Sequence, residues 1–492
     1  MNPEDYYLDT YFFNPNSALE ISKQNNLVET TNPRTPGLQI CYYNADEPLI
    51  DAPENCIFVP LENVYNYFVT TKNRIPKNMD FSNTTYQHTE QLQIKETFDN
   101  ILRTSLVEKE NLIQLYAKEI QKIKPDFSEK PWRVFIPCCR ETTVMQYISK
   151  NIAKTFESLG YEVFISTQDN AMQSCLEILP LLHNMYTFKP HITVNINHFV
   201  NEVLHDDVFN FVWFQDPMPS IMDDSHIDIR KRDHIFHLSS MLNRALEAKN
   251  IKSTYQPFCL DENIYIERKE IKRERKIVFI GSSYKDRLTK LKKGKNFKVL
   301  YNDILTRFKE KGCLTNLSID QSDIKYFMDK YNKPKLFIDE IYAYIGRDYC
   351  VEYLCQLKTD YEIEIYGFGW EKNKIVSPYY KGVLSHGEEI SRKYNEAEYG
   401  FCPGGYVLMQ RTLECAFSGA IPLVSEVRAD KDDIYDPKIE DSLQFFTINT
   451  LEQILKKETQ ERDFSLIKSQ YSYKHFIKEI EQIIDNEIQN RL

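Results

Sequence analysis

The stretch Lys276-Ile277-Val278-Phe279-Ile280-Gly281-Ser282-Ser283 decides how the chain folds. An unbroken apolar run that stops at a glycine reads as a central parallel strand, buried on both faces, with a sharp turn at its carboxyl end. The charged segment before it, Glu267-Arg268-Lys269-Glu270-Ile271-Lys272-Arg273-Glu274-Arg275, reads as a domain boundary. After it, strands at 361–367, 382–384, 400–403 and 421–424 alternate with helices at 388–397 and 408–418. Residues 286–358 are largely helical and too long for a simple crossover, so an insertion is expected at about 310–358. An amphipathic helix, 473–492, ends the chain.

The same alternation runs upstream. Strands are expected at 132–137, 161–165, 191–196, 209–214 and 234–237, with helices at 142–159 and around 172–182. Apolar strands that alternate with helices mean parallel sheets covered on both faces. The class is therefore α/β, with one doubly wound, Rossmann-like domain at 131–265 and a second at 276–472. Two such domains in succession leave a cleft between them, and ligands meet such sheets at the carboxyl ends of the strands. Residues 1–130 read as a mixed α/β extension. It has short strand-like runs at 38–43 and 56–59 and a long helical pattern over 89–123.

Glycine usage points the same way. Of 14 glycines, only Gly37 and Gly160 precede Gly281, and nine fall between Gly346 and Gly419. Glycine is needed where backbone turns with positive φ or approaches a ligand closely, so the second domain is where a ligand is expected to meet backbone. With 61 basic and 72 acidic residues the net charge is −11, which argues against a general nucleic-acid binder. Eleven cysteines without zinc-type spacing suit a reducing, cytoplasmic setting. The acidic, polar N-terminus does not read as a signal peptide, and no run has the length of a spanning helix. Contact with a membrane surface stays open.

Several blocks of the second domain resemble the GT-B glycosyltransferases. Ile277 to Gly281, followed by Ser282-Ser283-Tyr284-Lys285-Asp286-Arg287, is similar to the strand, Gly-Ser turn and arginine that open their second domain. Tyr380 to Glu389, with Tyr394-Asn395-Glu396-Ala397, looks like their next motif. The block from Gly404-Gly405 through Arg411-Thr412-Leu413-Glu414 to Gly419-Ala420-Ile421-Pro422 resembles the nucleotide-sugar site of the CgeB-like branch. The resemblance covers about 130–490 and implies a GT-B fold with two Rossmann-like domains facing a cleft. Many retaining members carry a glutamate eight positions before the one aligned with Glu414; here that position is Tyr406, so retaining and inverting courses both stay open.

Each site residue has a chemical reason beside the resemblance. Arg411 and Glu414 share one helix face, and the resemblance gives Glu414 the ribose hydroxyls, which a carboxylate can accept two at a time. Gly404 and Gly405 offer backbone N–H groups to a diphosphate, with Arg411 adding charge. Ser282 and Arg287 are placed to neutralise a leaving nucleoside diphosphate, the alternative being a capping serine and a solvated arginine. Lys285 is a weaker substitute. His386 would touch base or phosphate, or be a satisfied turn histidine. On the acceptor side, Asp216 and His198 are the candidates to take a proton from an attacking hydroxyl, with Arg140 and Glu141 behind them. The D-x-D string Asp430-Lys431-Asp432 reads as a solvated loop, and no metal or cofactor is expected. The activity implied is metal-independent transfer of a sugar from a nucleotide-sugar to a hydroxyl on a protein or glycan. A nucleotide-sugar 2-epimerase and a non-catalytic binding protein on the same fold are the alternatives. Residues 1–130 would recognise the acceptor or form a homodimer.

Overall fold

A computed structural model describes residues 10–31, 40–53, 55–70, 76, 78–82, 84–138, 143–167, 178–224, 226–292, 296–312, 323–428 and 435–489. Arg140, Glu141 and the Asp430-Lys431-Asp432 string lie outside the described residues, as do 168–177 and 313–322. By compactness the chain falls into two units, residues 1–213 with 226–235, and residues 214–225 with 236–492.

The N-terminal region holds a four-stranded sheet of β1 (Thr10–Phe12), β2 (Cys41–Tyr43), β3 (Cys56–Phe58) and β4 (Asn78–Asp80), in the order β3-β2-β1-β4. Its pairings are parallel. Tyr11, Tyr42, Phe68 and Phe98 are fully buried, and Tyr11 meets Phe98 edge-on with centroids 4.8 Å apart. Phe98 belongs to a 33-residue helix, His88–Ile120. The amino-terminal half of that helix packs on this sheet through Ile94, Phe98, Ile101 and Leu102. The carboxyl-terminal half supplies Ile113, Tyr116, Ala117 and Ile120 to the core of the next sheet, beside Phe135, Leu182 and Met185. Tyr116 Oη lies 2.9 Å from His183 Nδ1.

The next sheet comprises β5 (Arg133–Cys138), β6 (Glu162–Thr167), β7 (Ile192–Ile196), β8 (Phe209–Phe214), β9 (Asp233–His237) and β10 (Ser253–Tyr255), ordered β10-β9-β8-β7-β5-β6. Strands β7 and β8 are buried throughout, as their near-continuous apolar runs require. Their polar members are cross-bonded, with Asn195 Oδ1 left without a hydrogen-bond partner among the described residues. Asn210 Oδ1 accepts from Thr193 Oγ1 at 2.8 Å and from Asn195 Nδ2 at 2.7 Å, and Asn210 Nδ2 donates to Asp233 at 2.9 Å. A ladder of this kind resists a slip in register, because a slip would strand buried amides.

The last sheet comprises β11 (Glu274–Ile280), β12 (Glu362–Tyr366), β13 (Tyr380–Gly382), β14 (Ala397–Cys402), β15 (Ile421–Ser425) and β16 (Gln444–Phe446). Its order is β13-β12-β11-β14-β15-β16, and the pairings are parallel. This is the Rossmann order, with the reversal between β11 and β14. The two successive Rossmann-like sheets expected from the sequence are therefore present. At the foot of β11, Lys276 is buried but paired with Glu364 at 3.0 Å and Glu274 at 3.2 Å. Burial opposes its charge, yet the bonds to Glu364 and Glu274 raise its pKa. Helices Lys335–Tyr344 and Cys350–Gln356 are joined by a π-helical turn, Ile345–Tyr349. The closing helix is Tyr473–Gln489. Among the described residues, no helix is long and apolar enough to cross a membrane. The cysteines described as free are all buried.

Candidate functional site

The order reversal between β11 and β14 makes the loops beyond their carboxyl ends the natural place for a ligand. Ser282, Arg287, Gly404, Gly405, Arg411 and Glu414 follow those two strands. His386 follows β13.

The β11 loop is held by glycine. Gly367, just past β12, has φ +126°, and a Cβ there would stand 2.3 Å from the Gly281 carbonyl oxygen. The close approach is fixed by two backbone bonds, Gly281 N–H to the Tyr366 carbonyl and Ser283 N–H to the Phe368 carbonyl, both 2.9 Å. Trp370 is fully buried beneath them, donates Nε1–H to the Gly281 carbonyl at 2.7 Å and meets Phe279 edge-on at 5.8 Å. Ser282 is itself buried, and its hydroxyl accepts a 3.4 Å bond from Phe368 N–H.

From the other side comes the π-turn. Asp348, buried at 1% exposure, accepts from Tyr284 N–H at 2.9 Å and from the Ser283 hydroxyl. Burial raises its pKa to about 6, against the pull of these hydrogen bonds. Arg347 lays its guanidinium on the Tyr284 ring, 4.0 Å from the centroid, and Arg287 lies 4.2 Å from the same centroid. Arg287 also meets Glu340 at 3.6 Å.

Beyond β14, Gly404 N–H donates to Ser425 Oγ at 3.2 Å. Its α-hydrogen faces Met409, whose sulfur would sit 2.5 Å from a Cβ. Helix Gln410–Phe417 then begins with Gln410 and Arg411. A cation in a first helical turn opposes the helix dipole. Glu414, one turn on, offsets it, and Arg411 pairs with the Glu414 carboxylate. Glu414 has no exposed surface. One of its oxygens accepts from Tyr265 Oη at 3.1 Å and from Gln410 Nε2 at 3.0 Å, and the other takes Arg411. His386 Nε2 lies 3.9 Å from the carboxylate and 3.4 Å from Gln410 Nε2. Burial lowers the His386 pKa, with Glu414 opposing, so the imidazole is neutral at pH 7. Burial together with the Glu414 charge pushes the Tyr265 phenol well up. For Arg411, Glu414 outweighs burial and the pKa rises. Glu414 is thus a sealed anchor that orients Arg411, Gln410, Tyr265 and His386, and Arg411 keeps about a third of its side chain exposed.

The expected donor-side residues form two clusters. Ser282 and Arg287 belong to the β11 loop, while His386, Arg411 and Glu414 form one network. Burial disfavours the Arg347 charge, Tyr284 and Asp348 favour it, and Arg411 and Arg287 repel it. Lys285 is exposed. Asp216 is exposed just past β8, where its carbonyl accepts from Met218 N–H at 2.9 Å; His198 follows β7 and is half-buried. Sequence reasoning missed Tyr265, Arg347 and Asp348. A glycine within a helical run, Ile345-Gly346-Arg347-Asp348, was the available signal for the last two.

No protein-family model matches the sequence, and no curated protein does. Among solved structures, the chain is similar to one described as an alpha-glucosyltransferase in complex with UDP and a 13-mer DNA containing an HMU base. The identity is 12% and the TM-score 0.36, over 72% of this chain and 100% of that one. It is also similar to TarM, at 13% identity and a TM-score of 0.27, over 58% of this chain and 50% of that one.

Proposed function

We propose that the protein is a glycosyltransferase that moves a sugar from a nucleotide-sugar to a hydroxyl on a protein or glycan acceptor. The observation that carries this reading is the convergence of arginines on a glycine-held loop at the order reversal of a Rossmann sheet. The guanidinium groups there suit a diphosphate, which gathers negative charge as the sugar leaves. Arg287 and Arg411, with Gly405, would hold the diphosphate; Gly404 would give its N–H to a phosphate oxygen only by releasing Ser425, and Ser282 would keep the β11 loop in place. His386, being neutral, would donate or accept a hydrogen bond at the base or ribose. Glu414, sealed as it is, would act on the ribose through Gln410 and Arg411, whose polar ends it orients. Asp216 or His198 would remove the acceptor proton. Fixed arginine charge supplies the stabilisation that a metal gives elsewhere, so the reaction would run without one.

The test is thermal stabilisation by UDP, GDP, TDP and CMP, with and without a divalent metal. A ligand at about 100 times its Kd adds about 2.7 kcal/mol. One nucleotide that stabilises equally in EDTA is the expected result. The matching nucleotide-sugar should then label a protein or glycan fraction. No stabilisation by any nucleotide would refute the donor site.

A further inference from the structure

We infer that Arg347, on the helical insertion, is a further diphosphate-binding cation of this site, set against the β11 loop by the π-turn that carries it. The inference rests on the nucleotide-sugar reading above and deepens it. A π-turn inserts one residue into a helix at some cost in hydrogen bonding, and such turns concentrate at functional sites. Here the turn aims two neighbouring side chains, Arg347 and Asp348, at one loop. Asp348 is fully engaged in fixing that loop, through Ser283 and Tyr284 N–H.

Arg347 is differently placed. The only hydrogen bond of its side chain among the described residues is a long one, Nη1 to the Ser282 carbonyl at 3.4 Å. Arg287 has Glu340 and Arg411 has Glu414, whereas no carboxylate forms an ion pair with Arg347 among the described residues. The Tyr284 ring covers one part of the guanidinium and leaves the remaining N–H groups to find acceptors. Burial lowers its pKa; the neighbouring Tyr284 and Asp348 oppose this, and the repulsion of Arg411 and Arg287 adds to it, so the shift stays downward. An underpaired guanidinium in a partly dry place is costly until an anion arrives. The planar fork suits two phosphate oxygens at once, and a neutral sugar would not relieve the charge.

The experiment is calorimetric titration of the full-length protein with the nucleoside diphosphate that stabilises it, the matching nucleoside, and inorganic pyrophosphate. Arg347→Ala and Arg347→Met should weaken the diphosphate and pyrophosphate by at least about tenfold and leave the nucleoside within about twofold. Arg347→Lys, which keeps the charge, should recover part of the loss. Wild-type affinity for the diphosphate in R347A would overturn this inference alone. Equal weakening of nucleoside and diphosphate would also overturn it, because it would show a merely structural support of the loop. A wild-type protein that binds no nucleoside diphosphate would overturn both this inference and the reading beneath it.

Discussion

Replacing Gly367 by alanine tests the close approach on which the β11 loop depends. The new Cβ would lie 2.3 Å from the Gly281 oxygen, 2.5 Å from its carbonyl carbon and 2.9 Å from Ser282 N. All three are backbone atoms, held by the bonds to Tyr366, Phe368 and Trp370, so none can swing away. Strain at φ +126° costs about 1–3 kcal/mol and the overpacking about as much again, or roughly 4 kcal/mol together. Two further glycines separate these terms. Gly382 has φ +108° with nothing within 4 Å of a Cβ, so Gly382→Ala carries strain alone, about 1–2 kcal/mol. Gly346 is in open space within the π-turn, and Gly346→Ala should stabilise by about 0.5–1 kcal/mol. At about 2 °C per kcal/mol for a unit of this size, thermal melting should rise slightly for G346A, fall by about 2–4 °C for G382A and fall by about 8 °C for G367A. If G367A melts with G382A, the two loops do not touch as described and the reasoning fails.

Glu414→Ala should cost about 2–3 kcal/mol in urea unfolding, since Arg411 and Tyr265 lose their acceptor; water at the exposed third of Arg411 keeps the cost below that of a fully buried pair. A coupling with Arg411→Ala below about 0.5 kcal/mol would argue against the pair. Asp348 titrates at about 6 when folded, above its ordinary value of 3.8, so the ionised form opposes folding. Stability from this group should therefore rise as pH falls from 7 through 6 towards 4, by roughly 2–3 kcal/mol, and Asp348→Asn should abolish that rise. Lys276→Met should cost about 1–3 kcal/mol, since buried Glu364 keeps only the Tyr366 hydroxyl and a distant Lys393, and a K276M/E364L/Y366F triple variant should recover most of it in the same melt.

Long apolar strands were legible because burial on both faces writes itself into composition. The run ending at Ile280 and the run Phe209–Phe214 fall where the sequence placed them. Short edge strands were not. Asn78–Asp80 and Gln444–Phe446 are three residues each, too few to show a period, and their pairing is imposed by the neighbouring strand. The strand expected at 382–384 sits at Tyr380–Gly382, because positive φ at Gly382 ends the extension there. At the site, Arg411 and Glu414 were visible through their helical spacing. Tyr265 was not, since it lies 149 residues from the carboxylate it serves. Nor was the Arg347–Asp348 pair, which works through a one-residue irregularity that leaves no periodic trace.

The helix His88–Ile120 gives the N-terminal region a mechanical meaning. Its 33 residues span about 50 Å at about 1.5 Å each, and its two ends are bolted into different hydrophobic cores. A cut at residue 130 would sever a linker on paper but would pull a wall out of the sheet that follows. The small N-terminal sheet is thus less a passenger than the far end of a lever. Removing the helix would uncover the apolar packing behind β5, where Phe135 and Met185 lie.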